Sequence, residues 1–166
     1  AADLLKLGVT EDYRIIICYL KPENHKDNFT VFQRKKIEVI EKAILDFVPR
    51  EYIYCSTNRV IYIHKENRKE GNLDLRKRLE EFQRMIQDQL KEEKSKYEFL
   101  IGVGKKVKGY HKLKESFADS RVAIECIGVI RKIVGDTNKT VVDCSRLGFF
   151  NIFANIKDKK QLRTYI

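Results

Sequence analysis

The sequence predicts an α+β fold, in which a sheet that contains antiparallel strands has helices packed on it. Short runs of β-branched and other apolar residues alternate with longer segments whose apolar residues recur every three or four positions, the spacing of one helical face. Two of the strand-like runs, 52–55 and 60–63, are joined by only four polar residues, which predicts a β-hairpin. A sheet covered by amphipathic helices accommodates both patterns in one domain.

The first strand is predicted at 13–20, where the sequence is almost continuously apolar. Such a run is typical of a central strand that is covered on both faces. A helix is predicted over 32–48, and Pro49 ends it because proline cannot continue a helix. The apolar stripe of this helix consists of Ile37, Ile40, Ile44 and Phe47.

The second half of the chain repeats the alternation of strand and helix. After the hairpin, a helix is predicted by the spacing of Leu75, Leu79, Phe82, Ile86 and Leu90. A buried strand at 97–104 closes on two glycines, and a basic loop follows at 105–108. One long helix is then predicted from Leu113 to Ile130. A last short strand is predicted at 140–143, and Ser145 is a candidate N-cap for a predicted closing helix.

Two motifs resemble the GGDEF-like middle domain of CdaR/PucR-type bacterial transcriptional regulators. The strand ends in Ile101-Gly-Val-Gly104, and the helix reads Leu113-x-x-Ser116-Phe117-x-x-Ser120-x-x-Ala123-Ile124. The family's helix reads Leu-x-x-Ser-Tyr-x-Glu-Ala-x-x-Ala-Leu, so Phe117 stands for its tyrosine and Asp119-Ser120 for its Glu-Ala. The predicted order of elements, with a hairpin in the middle, also resembles a ferredoxin-like sheet with helices on one face. The nucleotide-cyclase or GGDEF fold has this order too.

The resemblance implies a domain organisation and a set of partners. We expect a lead-in helix over 1–12, a degenerate GGDEF-like regulatory domain over 13–144, and a closing helix with a connector over 145–166. The expected protein is a cytoplasmic homodimer, in which this domain either binds a small anionic effector itself or serves as a dimerisation or relay module for a ligand bound upstream. Its DNA-reading helix-turn-helix is expected after Ile166, so DNA would be bound only through a segment absent from this chain.

The resemblance also shows where a catalytic site would lie. Active cyclases of this fold hold metal with a carboxylate at the end of the first strand and with Gly-Gly-Asp/Glu-Glu-Phe in the hairpin turn. Here the first strand ends in Cys18-Tyr19-Leu20-Lys21, and the turn is Ser56-Thr57-Asn58-Arg59. Metal-assisted phosphoryl transfer needs those missing acids. We therefore predict that the chain is not an enzyme and holds no cofactor.

Other sequence features exclude several classes of site. The four cysteines form no Cys-x-x-Cys motif and are predicted to be buried thiols of a reducing compartment. The three histidines have no partner at metal-ligand spacing, so no metal site is expected. No apolar run approaches the roughly 20 residues that a membrane span requires, and no membrane partner is expected.

Binding remains as the predicted function, and two sets of residues are candidates. Asn58, Arg59 and Lys105 are the candidate ligand-binding residues, because the resemblance places the hairpin turn and the basic loop where the enzymes of this fold hold their nucleotide. The alternative for these residues is solvated charge. The tyrosines Tyr52, Tyr54 and Tyr62 are candidates for a sheet face that stacks a base or lines a dimer interface, and their alternative is packing between core and rim.

Two competing functions stay open at this point. The net charge of +10 is compatible with a nucleic-acid-binding module that uses a ferredoxin-like sheet and a basic surface. Most of the basic residues are, however, interleaved with acids, as on a solvated helix face. An enzyme of unrecognised chemistry on the same scaffold is the third possibility.

Overall fold

The structure is a computed structural model that describes residues 7–22, 31–67, 69–91 and 97–143. Its strands are β1 (Asp12–Pro22), β2 (Ile53–Cys55), β3 (Arg59–Lys65), β4 (Tyr97–Val103), β5 (Val107–Lys108) and β6 (Val141–Asp143). Its α-helices are α1 (Val31–Leu45), α2 (Asn72–Lys91), α3 (Leu113–Glu125) and α4 (Ile127–Val134). Two 3₁₀ turns, Arg50–Tyr52 and Tyr110–Lys112, precede β2 and α3. The predicted α+β class is confirmed.

The strands form one mixed sheet in the order β2-β3-β1-β4-β6. The central strand β1 is antiparallel to β3 on one side and to β4 on the other, so that Cys18 is the cross-strand partner of both Val60 and Ile101. β6 runs parallel to β4, with Val141 beside Ile101. The short β5 extends the sheet at the beginning of β1. The almost continuous apolar sequence of β1 fits this central place.

Helices cover both faces of the sheet, so the expectation of helices on one face was wrong. On the first face, α1 and α2 enclose a core that contains Ile16, Ile40, Ile86 and Phe99. On the second face, residues of α3 and α4 pack against Leu100 and Val142. The reason is visible in β1, where the successive residues Ile15, Ile16 and Ile17 are all buried. Because neighbouring side chains of a strand point to opposite faces, both faces need cover.

Two elements and one core residue differ from their predictions. The helix predicted over 113–130 is divided at Cys126, whose backbone (φ −101°, ψ 13°) links α3 to α4. The predicted basic loop contains β5, because Val107 is buried there and pairs with Tyr13. Phe47 lies beyond the end of α1 and is 52% exposed, so it does not belong to the buried stripe of that helix.

The other predicted elements of the described segments are confirmed, including the hairpin and the strand that ends at Val103. Of the lead-in helix predicted over 1–12, residues 1–6 lie outside the described residues, 7–11 are not helical, and β1 begins at Asp12. The closing segment 145–166 and Cys144 also lie outside them. No helix within the described ranges is long and apolar enough to cross a membrane.

Two glycines of β4 and its following loop bring α3 close to the sheet. A Cβ atom on Gly102 would lie 2.6 Å from the carbonyl oxygen of Ser120. A Cβ atom on Gly104 would lie 2.9 Å from the carbonyl oxygen of Ile15 and closer still to two oxygen atoms of Ser116. The buried Ser116 hydroxyl accepts a hydrogen bond from the Ile15 amide (2.8 Å) and donates one to the Lys105 carbonyl (2.7 Å). The strand, the loop and the helix are thus joined through small residues.

Candidate functional site

The hairpin turn lies at the carboxyl end of β1. The amide of Leu20 donates a hydrogen bond to the carbonyl of Asn58 (2.9 Å), and the amide of Ser56 closes the turn on the carbonyl of Arg59 (2.9 Å). Arg59 is the cross-strand partner of Tyr19, and the two side chains therefore share the second face of the sheet. The predicted residues Asn58 and Arg59 are consequently held beside the last residues of the central strand.

A groove of about 500 Å³ opens beside this turn, on the face that α3 and α4 cover in part. We call it the basic groove. It is lined by Ile17, Tyr19, Lys21, Asn58, Arg59, Leu100, Arg121, Ile124, Glu125, Ile127 and Gly128. Its volume falls in the range of about 300–1,000 Å³ that is usual for small-molecule sites. The groove therefore has room for a small ligand between the sheet and the two helices.

The charges around the basic groove are predominantly positive. Lys21, Arg59 and Arg121 contribute three cations, and Glu125 contributes the one carboxylate among the described lining residues. The Nε atom of Arg121 lies 3.8 Å from Glu125 Oε1, and about half of each side chain is exposed. An exposed pair of this kind is weak, and water and salt screen it. An anion that enters the groove can therefore compete with Glu125 for Arg121.

The floor of the basic groove is apolar. Ile17, Leu100 and Ile127 are buried and belong to the second face of the sheet and to α4. At Gly128 an added Cβ atom would meet nothing within 4 Å, so α4 leaves open space there. An apolar floor with cations at the rim suits an organic anion, whose body contacts the floor while its acidic group meets the rim.

Lys105 does not belong to this site. The loop that carries it is fixed at the other end of β1, where the amide of Gly104 bonds to the carbonyl of Ile15 (2.8 Å). Ile15 and Leu20 are five residues apart on an extended strand, which corresponds to about 16 Å. The Nζ atom of Lys105 instead lies 3.6 Å from Oε2 of Glu115, at the start of α3. The structure thus brings Asn58 and Arg59 together and separates Lys105 from them.

Lys21 and Arg121 are the residues of the site that sequence reasoning missed. Lys21 directly follows the predicted first strand, and this position was itself a usable signal. Arg121 was harder to find, because its place depends on which face of the sheet α3 covers.

The three candidate tyrosines do not form one exposed face. Tyr62 is 2% exposed and lies in the core beneath α1 and α2, and Tyr52 packs in part against the same core. Tyr54 is 66% exposed and pairs with Ile61, whose side chain points to the opposite face of the sheet from Tyr62. Of these three tyrosines, Tyr54 is therefore the one whose ring is exposed enough to stack on a nucleic-acid base.

A second group of charges is buried at the far end of the sheet. Arg14 on β1 is almost fully buried; its Nε donates to Glu66, and its Nη1 donates to the carbonyl of Gly104 (3.1 Å). Nearby, burial raises the pKa of the Asp119 carboxyl, although a hydrogen bond from the Lys105 backbone opposes the shift. This group links β1, β3 and the loop after β4, and we interpret it as structural.

The cysteines give no sign of redox or metal chemistry in the described part of the chain. Cys18, Cys55 and Cys126 are free thiols there. Burial raises the pKa of the Cys18 thiol strongly and that of Cys55 to about 11, so thiolate, the reactive form, is scarce at neutral pH. Within residues 7–22, 31–67, 69–91 and 97–143, no three His, Cys, Asp or Glu side chains are grouped so that they could hold a metal ion.

Comparisons with protein-family models, with curated proteins and with solved structures find no match for this chain. The basic groove and the chemistry of its lining residues are therefore the features that indicate a function.

Proposed function

We propose that this chain is a non-catalytic regulatory domain that binds a small anionic effector in the basic groove. The observation that carries the proposal is the meeting of three cations, Lys21, Arg59 and Arg121, around an apolar-floored groove. These residues come from the end of β1, the hairpin and α3, so they are brought together only by the fold. A ligand that bridges them would stabilise one arrangement of the three elements.

We further propose that this is the GGDEF-like domain of a CdaR/PucR-like transcriptional regulator, and the strand order supports the ferredoxin-like part of that proposal. Along the chain, β1 to β4 and the helices α1 and α2 follow the order β-α-β-β-α-β. In the sheet these four strands lie in the order β2-β3-β1-β4, and each neighbouring pair is antiparallel. The catalytic members of that fold place metal-binding acids at the end of the first strand and in the hairpin turn. Lys21 and Arg59 occupy those places here. Bases at these positions favour direct binding of an anion.

Regulation would follow from the position of the groove between separate elements. A ligand shifts a conformational equilibrium only by its difference in affinity for the two states. An anion held by Arg59 on the hairpin and by Arg121 on α3 binds best when these elements are close together. We propose that this preference is passed to a second copy of the chain in a homodimer and from there to DNA-binding segments of the regulator.

A thermal-unfolding screen tests whether the domain binds an effector. The ligands are nucleotides, sugar acids, dicarboxylates and amino acids, with uncharged purines and sugars for comparison. A ligand that binds only the folded state adds about 2.7 kcal/mol of stability at a hundredfold excess over its dissociation constant. We expect the midpoint to rise with one class of anions and to stay constant with the uncharged compounds. A well-folded sample that responds to no anion would contradict effector binding by this domain.

Charge substitutions in the basic groove should weaken the binding of the anion identified by that screen. We expect Arg59→Gln and Arg121→Gln each to raise the dissociation constant about tenfold, which corresponds to about 1.4 kcal/mol. Titration calorimetry measures the change. Raising the salt concentration from about 0.1 M to about 1 M should weaken wild-type binding as well, because the Debye length falls from about 10 Å to about 3 Å.

Arg84→Gln is the matched control, because Arg84 lies on α2, outside the residues that line the basic groove. Its dissociation constant should stay within about twofold of the wild-type value, a difference below about 0.5 kcal/mol. Equal weakening by Arg84→Gln would mean that the ligand senses only the overall charge of the chain, and the groove would lose its assigned role.

A further inference from the structure

A second groove, of about 650 Å³, lies on the first face of the sheet, away from the basic groove. We call it the aromatic groove. One wall is the connector between α1 and β2, the other wall is α2, and β3 lies at the bottom. Its apolar lining includes Phe47, Pro49, Tyr52, Tyr62, Phe82 and Met85. Among the residues that the structure describes, the two grooves have no lining residue in common.

The wall formed by the connector is held in place by its own hydrogen bonds. The carbonyl of Ile44 accepts bonds from the amides of Phe47 (3.0 Å) and Val48 (2.9 Å). The amide of Tyr52 bonds to the carbonyl of Pro49 (3.0 Å), and Pro49 itself fixes one backbone dihedral. The groove is therefore largely preformed, as small-molecule sites usually are.

Aromatic rings line the aromatic groove in a defined geometry. The ring of Phe47 meets those of Tyr62 (centroids 6.0 Å apart, 80°) and Phe82 (5.6 Å, 83°) edge to face. Even so, Phe47 is 52% exposed, and Met85 on the α2 wall is 47% exposed. Aromatic rings prefer edge-to-face and offset contacts with other rings, and thioethers also contact ring edges favourably. The exposed parts of Phe47 and Met85 are therefore suited to a flat aromatic body.

The charged residues of the aromatic groove are balanced. Arg78 donates to Glu70 (2.8 Å), and Lys65 lies 2.9 Å from Glu11. Glu11 does not line the groove, and Glu81 completes the charged residues among the described lining. That described lining therefore carries two cations and two carboxylates. Burial lowers the pKa of the His64 imidazole, which favours its neutral form. A ligand with a net charge would gain little here, in contrast to the basic groove.

From this lining we propose that the aromatic groove is a second small-molecule site, which takes a neutral, planar aromatic compound. Such a ligand places its ring between Phe47 and Met85 and its polar group toward the end formed by Asn67, Glu70 and Arg78. The proposal does not depend on the anion site, because the two grooves use different residues and opposite faces of the sheet.

Three compounds that share a fused two-ring framework test the proposal on the 166-residue chain. They are 2-naphthol, which is neutral and planar, 2-naphthoate, which is planar and anionic, and decahydro-2-naphthol, which is neutral and saturated. Saturation-transfer NMR and an amide chemical-shift titration measure their binding. We expect saturable binding of 2-naphthol with the largest shifts at Phe47, Phe82 and Met85. The two other compounds should bind at this groove at least about tenfold more weakly, the factor that about 1.4 kcal/mol represents.

Two substitutions of exposed apolar residues on α2 locate the binding site. Met85→Glu puts a carboxylate on the wall of the aromatic groove, and we expect it to weaken 2-naphthol binding at least about tenfold. Leu73→Glu makes the same change on the same helix at a residue that is 54% exposed and outside the groove lining, and it should leave the affinity within about twofold. Circular dichroism checks that both variants are folded. Arg121→Gln should not affect 2-naphthol.

Several results would overturn the proposal. Absence of saturable 2-naphthol binding to the wild-type chain would remove the site. Equal binding of the saturated analogue would remove its preference for planar rings, and equal binding of 2-naphthoate at Phe47 and Met85 would remove its preference for neutral ligands. Equal weakening by Leu73→Glu and Met85→Glu would place the compound elsewhere on the molecule.

Discussion

We expect Gly104→Ala to destabilise the protein by about 3 kcal/mol, the upper part of the range for overpacking a well-packed interior. The added methyl group would clash with two backbone oxygen atoms at once. It would lie closer than van der Waals contact to the carbonyl oxygen of Ile15 on β1 and to that of Ser116 on α3. Neither backbone can move away without loss of the Ser116 hydrogen bonds to the Ile15 amide and the Lys105 carbonyl. Urea unfolding followed by circular dichroism measures the change.

Gly128→Ala is the control for this prediction, because a Cβ atom there meets nothing within 4 Å. Alanine has a higher helix propensity than glycine, so stability should be unchanged or should increase by up to about 1 kcal/mol. Gly104 has no positive φ, so the two substitutions differ in steric contact and not in a left-handed backbone. Equal stability of the two variants would show that α3 does not approach the sheet as closely as described.

The second large effect is expected from Glu66→Ala, which should cost about 3 kcal/mol of stability. The Glu66 side chain is 12% exposed, and that of its partner Arg14 is 4% exposed. Removing one member of a buried ion pair typically costs about 3–5 kcal/mol, because the remaining charge loses a partner where water cannot replace it. The bond from Arg14 to the Gly104 carbonyl remains and places the expectation at the lower end of that range.

Glu80→Ala provides the comparison, because Glu80 pairs with Arg76 on the surface of α2 with a side chain that is 42% exposed. Exposed pairs four residues apart on a helix contribute about 0.3–0.5 kcal/mol. Equilibrium unfolding of both variants should therefore separate them by more than about 2 kcal/mol. If Glu66→Ala lowered the free energy of unfolding no more than Glu80→Ala does, Arg14 would have to be well hydrated. That result would contradict its burial in the structure.

Local patterns predicted the elements of the fold better than their arrangement. Apolar runs and helical spacing were sufficient for β1, the hairpin and α2, because burial imposes those periods directly on the sequence. The placement of all helices on one face came from the predicted order of elements and disagreed with the sequence of β1 itself, since Ile15, Ile16 and Ile17 require apolar cover on both faces. The sequence around Gly102 and Gly104 predicts only the end of a strand. Their role in the close approach of α3 depends on contacts that are remote in sequence.

The candidate site was predicted in part. The hairpin turn can be recognised from its local sequence, and the resemblance marks its Asn58 and Arg59 as ligand-binding candidates. The resemblance predicts Lys105 at the same site, and nothing in the local sequence of Lys105 tells which end of the sheet its loop reaches. Arg121 belongs to the site only because α3 packs on the second face. Tyr62 illustrates the same limit, because an alternating strand pattern does not say which face is covered.

The central claim, that the basic groove binds an anionic effector, is tested most directly by mapping the bound anion on the protein. An amide chemical-shift titration with the anion that raises the unfolding midpoint most provides this map. We predict saturable changes concentrated at Tyr19, Arg59 and Gly128, and their loss in the Arg59→Gln and Arg121→Gln variants. Saturable changes centred elsewhere, with these three amides unmoved, would contradict the claim and assign the effector to another surface.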